Sequence, residues 1–380
     1  MRIELDNAIT DIVNNTVLKE LKKDKNVIIF GAGASGDWAA DLLRSHGIFP
    51  KCYCDNSSRK WGKMRNGLKI QPFTEAIKEY EGAAICIASM WQEEIYKQIC
   101  EYDNSLAART YNLLTTMAWE TSGKQYRSEE LDYIQCHLDA FENLCGELAD
   151  ETSRMTLEGL LNYRLTRDTK WLKRIKSEEE IYLDKEILKG EYSEYAKDGI
   201  IIDGGGYNGD TVDLIIGSCK KNNVLNIHCY ECEEENCRVI EEKIHKDVWH
   251  PHHVVLHKAA LWNEKTKIRF EGNGLSGNVN SSQTNNGEGK WISAERIDDY
   301  PYEKVSLIKL DVEGAERQVL AGAAETIKRD RPVLAICAYH LQDDLLVLSD
   351  FIRSLDCSYQ LYLRHYMLAS GDSILYGVPV

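Results

Sequence analysis

Two apolar runs, each breaking directly into a glycine-rich turn, constrain this chain more than any other feature. Val27-Ile28-Ile29-Phe30 runs into Gly31-Ala32-Gly33-Ala34-Ser35-Gly36, and Ile200-Ile201-Ile202 runs into Asp203-Gly204-Gly205-Gly206-Tyr207-Asn208-Gly209-Asp210-Thr211. Runs of this length and composition are strands buried in a sheet, and the residues after each turn have helical spacing. Strand, glycine turn and helix in that order specify α/β architecture, and two such starts 173 residues apart specify two α/β units. The length of 380 residues agrees, being too great for one typical domain.

Between the two units the texture changes. From Trp119 to Asp198 no proline occurs, strand runs vanish, and Leu131, Ile134, Leu138 and Phe141 recur at helical spacing among dense charges. The expected organisation is therefore an α/β domain over residues 1–118, a helical connector over 119–190 and a second α/β domain over 191–380. An N-terminal helix is expected from Ile9, Ile12, Val13, Val17 and Leu21. Strands are expected at Lys51–Cys54 and Ala83–Ala88 in the first domain. In the second they are expected at Asn226–Tyr230, Val254–His257, Leu307–Leu310, Val333–Cys337 and Gln360–Leu363.

Composition excludes several functions. With 61 acidic against 46 basic residues the formal charge is −15, which argues against a sequence-independent grip on nucleic acid or on an anionic membrane. The partner expected is a small molecule, with room for a homo-oligomer. Apolar runs are strand-sized, too short for a membrane span, and the start MRIELDNAIT has no signal-peptide pattern, so a cytoplasmic location is expected. The 12 cysteines are scattered, as reduced thiols are. Cys52 with Cys54, and Cys229 with Cys232 and Cys237, lack the partner pair a structural zinc site needs, so no metal ligands are assigned.

The first glycine turn fits a dinucleotide-binding fingerprint, with Gly31 and Gly33 for a tight turn and close pyrophosphate approach, Gly36 beyond, and Asp55 at the spacing of a ribose acid. A nucleotide or nucleotide-sugar is the expected ligand, although the same turn also occurs in units without one. The pattern, with Cys54-Asp55-Asn56 and Gly67-Leu68-Lys69-Ile70, resembles small nucleotide-sugar-binding units of sugar-modifying enzymes. Hydride transfer would need a second nucleotide-binding half, and residues 120 to 180 read as helices.

The second turn departs from phosphate-binding spacings and has no G-K-[ST]. Glycines for backbone approach with carboxylates at two successive strand ends, Asp203 and Glu231, suit S-adenosylmethionine, which carries an ammonium, a ribose diol and no phosphate. The competing reading makes these acids surface caps. A third strand ends in Ile308-Lys309-Leu310-Asp311-Val312-Glu313-Gly314-Ala315-Glu316, and a fourth, Val333 to Cys337, ends near His340.

These elements in order resemble the FkbM family of S-adenosylmethionine-dependent methyltransferases, whose hallmark is I-K-x-D-x-E-G-x-E followed by a P-x-l strand. The resemblance covers about 190–380, with weaker echoes at Leu161–Leu165 and Tyr182–Lys185 and a matching ending at Leu361–Tyr366 and Leu375–Gly377. It implies a class-I methyltransferase doubly wound sheet in the C-terminal half, beside a small Rossmann-like N-terminal domain. It further implies a cofactor loop at Asp203, Gly204, Gly205, Gly206 and Asn208, a ribose acid at Glu231, and an adenine edge at Lys258-Ala259-Ala260. Asp311 would lie beside the reacting methyl, with Lys309 of the same motif among the catalytic groups. One departure is Cys232, where the family commonly has proline. The expected reaction is O-methylation of a saccharide or other polar metabolite, with His340 the first candidate base and Asp311 the second. His340 also reads as a loop histidine satisfied by backbone. A divalent ion at Asp311, Glu313 or His340 is compatible but not required. The rival expectation is a nucleotide-sugar or dinucleotide-binding protein with a catalytically silent methyltransferase fold.

Overall fold

The computed structural model describes all residues except 6–15, 25, 90, 114–122, 167–169, 189–198, 219–223, 273–276, 281–289 and 356–357. Most of the expected N-terminal helix lies outside the described residues, which hold its last part, Thr16–Leu21. The chain divides into two compact units, one of Arg2–His137 with Leu160–Lys173 and one of Leu138–Gly159 with Arg174–Val380. The helices between the two sheets are therefore shared between the units.

In the first unit six strands form one sheet: β1 (Val27–Phe30), β2 (Tyr53–Cys54), β3 (Met64–Arg65), β4 (Leu68–Gln71), β5 (Ala84–Ile87) and β6 (Thr110–Asn112). Their order is β3-β4-β2-β1-β5-β6, parallel except for the β3–β4 hairpin. Strand alternation divides β1 between two cores: Val27 and Ile29 pack with Leu43 and Tyr53, Ile28 and Phe30 with Phe73 and Ile85. Each such side chain contributes roughly 1.5–3 kcal/mol by leaving water, which is why the run carries no polar residue.

The second unit is built on a seven-stranded sheet. Its strands are β7 (Ile200–Gly204), β8 (Asn226–Tyr230), β9 (His253–His257), β14 (Val305–Leu310), β15 (Val333–Cys337), β16 (Tyr359–His365) and β17 (Ser373–Pro379). The order is β16-β17-β15-β14-β7-β8-β9, with β9 to β15 parallel and β17 antiparallel to both neighbours. This is the doubly wound sheet expected from the sequence. Beyond β3, β4, β6 and β17, four more strands not expected from the sequence, β10 (Ala260–Leu261), β11 (Thr266–Gly272), β12 (Gly277–Asn280) and β13 (Lys290–Glu295), make a separate sheet ordered β10-β13-β11-β12.

Part of the stretch expected as a connector is integral to this unit. Arg364, 1% exposed on β16, donates two hydrogen bonds to Asp150 and one to Ser153, and Ala149 N–H donates to Leu361 carbonyl. Among the described residues no helix is long and apolar enough to cross a membrane.

In a sheet of this order the chain leaves β7 toward β8 on one side, while β14 returns on the other. The carboxyl ends of β7 and β14 thus flank a topological switch point, where open α/β sheets bind ligands.

Candidate active site

The glycine turn after β7 is shaped by what it packs against. Gly205 has φ +80°, and a Cβ there would overlap the carbonyl oxygen of Asp311 on the neighbouring strand end. A Cβ on Gly206 would overlap the Cys229 sulfur. The N–H groups of Gly205 and Gly206 both donate to the Tyr230 carbonyl, at 3.1 and 3.0 Å, and Asp311 N–H donates to Gly204 carbonyl at 3.0 Å. The loop is clamped between β8 and β14, so side-chain-free residues are needed before any ligand is considered. Asn208, half-buried, precedes Gly209 (φ +81°), which opens the helix Asp210–Gly217.

Beneath the loop lies a buried ion pair. Asp203 is fully buried with Lys309 Nζ 3.0 Å from its Oδ1, and Cys229 Sγ–H donates to Oδ2 at 3.5 Å. Lys309 also donates to Gly205 carbonyl at 2.8 Å and lies over the Tyr182 ring. Burial works against its charge, yet Asp203 and then Asp311 outweigh it and push the ammonium pKa up. Lys309, expected from the sequence among the reacting groups, therefore sits under the loop as a permanent cation. Asp203 faces it rather than the solvent side of the turn.

Glu231 follows β8, and its backbone N–H donates to His257 carbonyl. Its Oε1 accepts from the N–H groups of Cys232 and Glu233, both at 2.7 Å. A proline at 232 would have no N–H to give, so the departure from the family pattern adds a hydrogen bond that fixes the carboxylate. Burial raises the Glu231 pKa against these backbone donors. Ala260, expected at the adenine edge, lies on β10 and pairs with Ala294 of β13.

At the end of β14 and β15 a second cluster gathers. Asp311 Oδ2 accepts from Tyr182 hydroxyl at 3.0 Å and Oδ1 from Tyr339 hydroxyl at 3.1 Å. His340 Nε2 lies 3.4 Å from Asp311 Oδ1 and 3.5 Å from Glu313 Oε2, and its Nδ1 lies 2.9 Å from Glu316 Oε1. Burial opposes ionisation of Asp311, but Lys309 and then His340 hold its pKa below the usual range. Burial likewise opposes protonation of His340, but Glu316, Asp311 and Glu313 together lift it to about 9. His340 is thus not a histidine satisfied by backbone: its ring nitrogens face three carboxylates. Glu316, Tyr182 and Tyr339 were not singled out from sequence. Glu316 carried a signal as the last position of the charged motif, and Tyr182 only as the start of a weaker echo, since it arrives from 129 residues away.

In the first unit Gly31, Gly33, Gly36 and Asp55 meet at the end of β1, with different demands on each. A Cβ on Gly31 (φ +122°) would overlap the Ala88 carbonyl, and one on Gly36 the Gly31 carbonyl. Gly33 has extended backbone (φ −125°) and open space where a side chain would go. Asp55 accepts from Ala32 N–H at 3.0 Å, Ser57 N–H at 2.8 Å and Lys60 Nζ at 2.8 Å, bonds that lower its pKa against burial.

Residues 219–361 match the family described as Methyltransferase FkbM domain, and residues 23–106 match the family described as C2185-like, N-terminal. The crystal structure of Methyltransferase FkbM from Methylobacillus flagellatus superposes with a TM-score of 0.64 at 20% identity, over 95% of this chain and 93% of that one. Its similarity is one of fold across both units. An O-methyltransferase from Bacillus cereus in complex with SAH superposes over 61% of this chain and 92% of its own, at 10% identity and a TM-score of 0.33. Fibrillarin from Aeropyrum pernix with bound S-adenosyl-L-methionine covers 48% and 68%, at 12% and 0.30. No curated protein matches the sequence.

Proposed function

Since the chain carries an FkbM-family S-adenosylmethionine-dependent methyltransferase domain and a separate N-terminal domain, we propose that it methylates an oxygen of a small, saccharide-like acceptor. The observation that carries this reading is the contact at the switch point, where the glycine loop and the Asp311 backbone are hydrogen-bonded to one another. A cofactor seated on Gly204–Gly206 and Asn208 has its sulfonium beside Asp311. Glu231 takes the ribose hydroxyls and Ala260 the adenine edge, while Asp203 and Lys309 hold the loop in shape from below.

Transfer breaks the S–CH3 bond, leaves its electron pair on sulfur and forms a C–O bond, so the protein must position two reactants and receive one proton. Asp311, held ionised by Lys309 and His340, is the group that receives it at neutral pH, and His340 receives it only where its ring is neutral, above about pH 9. Glu313 and Glu316 add negative charge to the same cluster, which favours an acceptor rich in hydroxyls over a phosphate or carboxylate.

For the N-terminal domain, residues 1–118, a nucleotide or nucleotide-linked sugar is the ligand we propose. Its support is Gly33, whose glycine identity neither φ nor packing requires. Asp55 already holds its own turn, so the loop backbone rather than this acid would carry the phosphates. Native mass spectrometry and calorimetry on the whole chain test both ligands. The methyltransferase reading requires binding of S-adenosylmethionine or its demethylated product, and transfer of labelled methyl to a member of a saccharide panel. Absence of cofactor binding ends it.

A further inference from the structure

At the end of β14 and β15 three carboxylates, Asp311, Glu313 and Glu316, surround one imidazole, and the nearby Lys309 is shared with Asp203. Glu316 is fully buried; Oε1 accepts from Val312 N–H at 2.9 Å, and Oε2 is buried without a hydrogen-bond partner. His340 is nine-tenths buried. Its two ring nitrogens have carboxylate oxygens at 2.9, 3.4 and 3.5 Å, yet neither makes a hydrogen bond of acceptable geometry. Buried polar atoms in this condition are rare, and one explanation is an ion.

One donor atom each from Asp311, Glu316 and His340 lie within 4.8 Å of one another, and this is the one such group of metal-binding residue types among the described residues. We infer that Asp311, Glu316 and His340 form a divalent-cation site whose open positions receive hydroxyl oxygens of the acceptor. Bonds of about 2.0–2.2 Å need donor atoms closer together than 4.8 Å, so the three side chains would draw in around an ion held by one of the two imidazole nitrogens. Two carboxylates with one imidazole suit a first-row ion such as Mn2+ better than Ca2+, which takes oxygen ligands. The hydroxyls of Tyr182 and Tyr339 hold the Asp311 carboxylate in orientation, as partners of metal-binding carboxylates do. Glu313, with its side chain 39% exposed, borders the side from which an acceptor would enter. The ion would lower the pKa of the bound hydroxyl and steer its oxygen toward the methyl group. The contact with the acceptor and this last role rest on the methyltransferase reading; the binding of the ion does not.

The test is a Mn2+ titration of the tag-free, chelator-treated full chain, followed by the electron paramagnetic resonance signal of the free ion. One Mn2+ per chain is expected to leave the free pool, and Glu316→Gln and His340→Gln are each expected to weaken uptake at least tenfold. Calorimetry with the demethylated cofactor, run on the same samples, reports that the variants are folded and decides the cofactor reading separately. If wild-type protein takes up no Mn2+, the inference fails whether or not the variants fold. Uptake that persists in both folded variants assigns the ion elsewhere, such as the exposed His250 and His253, and also overturns it.

Discussion

Glu231 and His340 divide the proposed reaction between cofactor and acceptor, and single substitutions separate them. Glu231→Ala removes a carboxylate that would hold the ribose, so calorimetry should show affinity for the demethylated cofactor weakened by about 1.5–3 kcal/mol, the worth of a charged hydrogen bond. Because the same carboxylate accepts from Cys232 and Glu233 N–H groups, Glu231→Gln should recover the turn and only part of the affinity. Unchanged binding in both would remove Glu231 from the site. The ring nitrogens of His340 face Asp311, Glu313 and Glu316, and the ring packs on Tyr339. His340→Ala should therefore lower turnover about 10²–10⁴-fold while leaving cofactor affinity near wild type. Equal losses in the two constants would make it a cofactor-binding or structural residue. Asp311 and His340 could be singled out from sequence because each ends a recognisable strand. Glu316 could not, since nothing in the motif shows that its side chain is fully buried, with one oxygen against the His340 ring and the other unpartnered.

At the scale of elements, the two glycine turns look alike in sequence and differ in what they tolerate. Gly205→Ala puts a Cβ into the Asp311 carbonyl at positive φ, and should destabilise the second unit by about 2–4 kcal/mol in urea unfolding. Gly33→Ala meets open space on extended backbone and should be nearly neutral. A Gly205→Ala protein of wild-type stability would mean that the loop is not clamped as described. The strands of the same unit also carry a pH dependence. His365, fully buried on β16 with Nδ1 2.9 Å from Ser373 Oγ, has its pKa pushed down to about 4 by burial. His228 on β8 is lowered to about 4 by burial and by His257, whose Nε2 lies 2.8 Å from its Nδ1. An unfolded histidine titrates near 6.5, so the stability these groups contribute is intact above that pH and is lost as pH falls toward and through 4. Each loss amounts to at most about 3 kcal/mol. Denaturant unfolding between pH 7.5 and 5 should show the decline, and His365→Asn should flatten it. A slope identical in variant and wild type would show that His365 is not a contributor.

For the whole molecule, the question is what the N-terminal unit adds to a methyltransferase. Gly33→Val places a β-branched side chain at the mouth of the first glycine turn, in space the fold leaves open. The folded variant, verified by circular dichroism, should lose the thermal shift that nucleotides or nucleotide-sugars give the wild-type chain, and should methylate the true acceptor more slowly. Normal rates and no ligand response in either protein would leave that unit a structural role. Six of the seven strands of the second sheet were legible in sequence, but only β1, β2 and β5 of the first, because a legible strand is announced locally by an apolar run such as Val27–Phe30 or Val333–Cys337. The small sheet β10–β13 was not, because its strands carry polar and charged residues at exposed positions, as in Lys290–Glu295, and take their pairing from one another. Sequence by itself also determined the glycines of the second turn and the carboxylates after β8 and β14. Only the tertiary structure decided that Asp203 is spent on Lys309, that Asp55 is spent on its own turn, and that Tyr182, Asp311, Glu316, Tyr339 and His340 converge. Strand and turn propensities act between neighbours in the chain, whereas the charge and hydrogen bonding of a buried carboxylate depend on whatever the fold brings within about 4 Å.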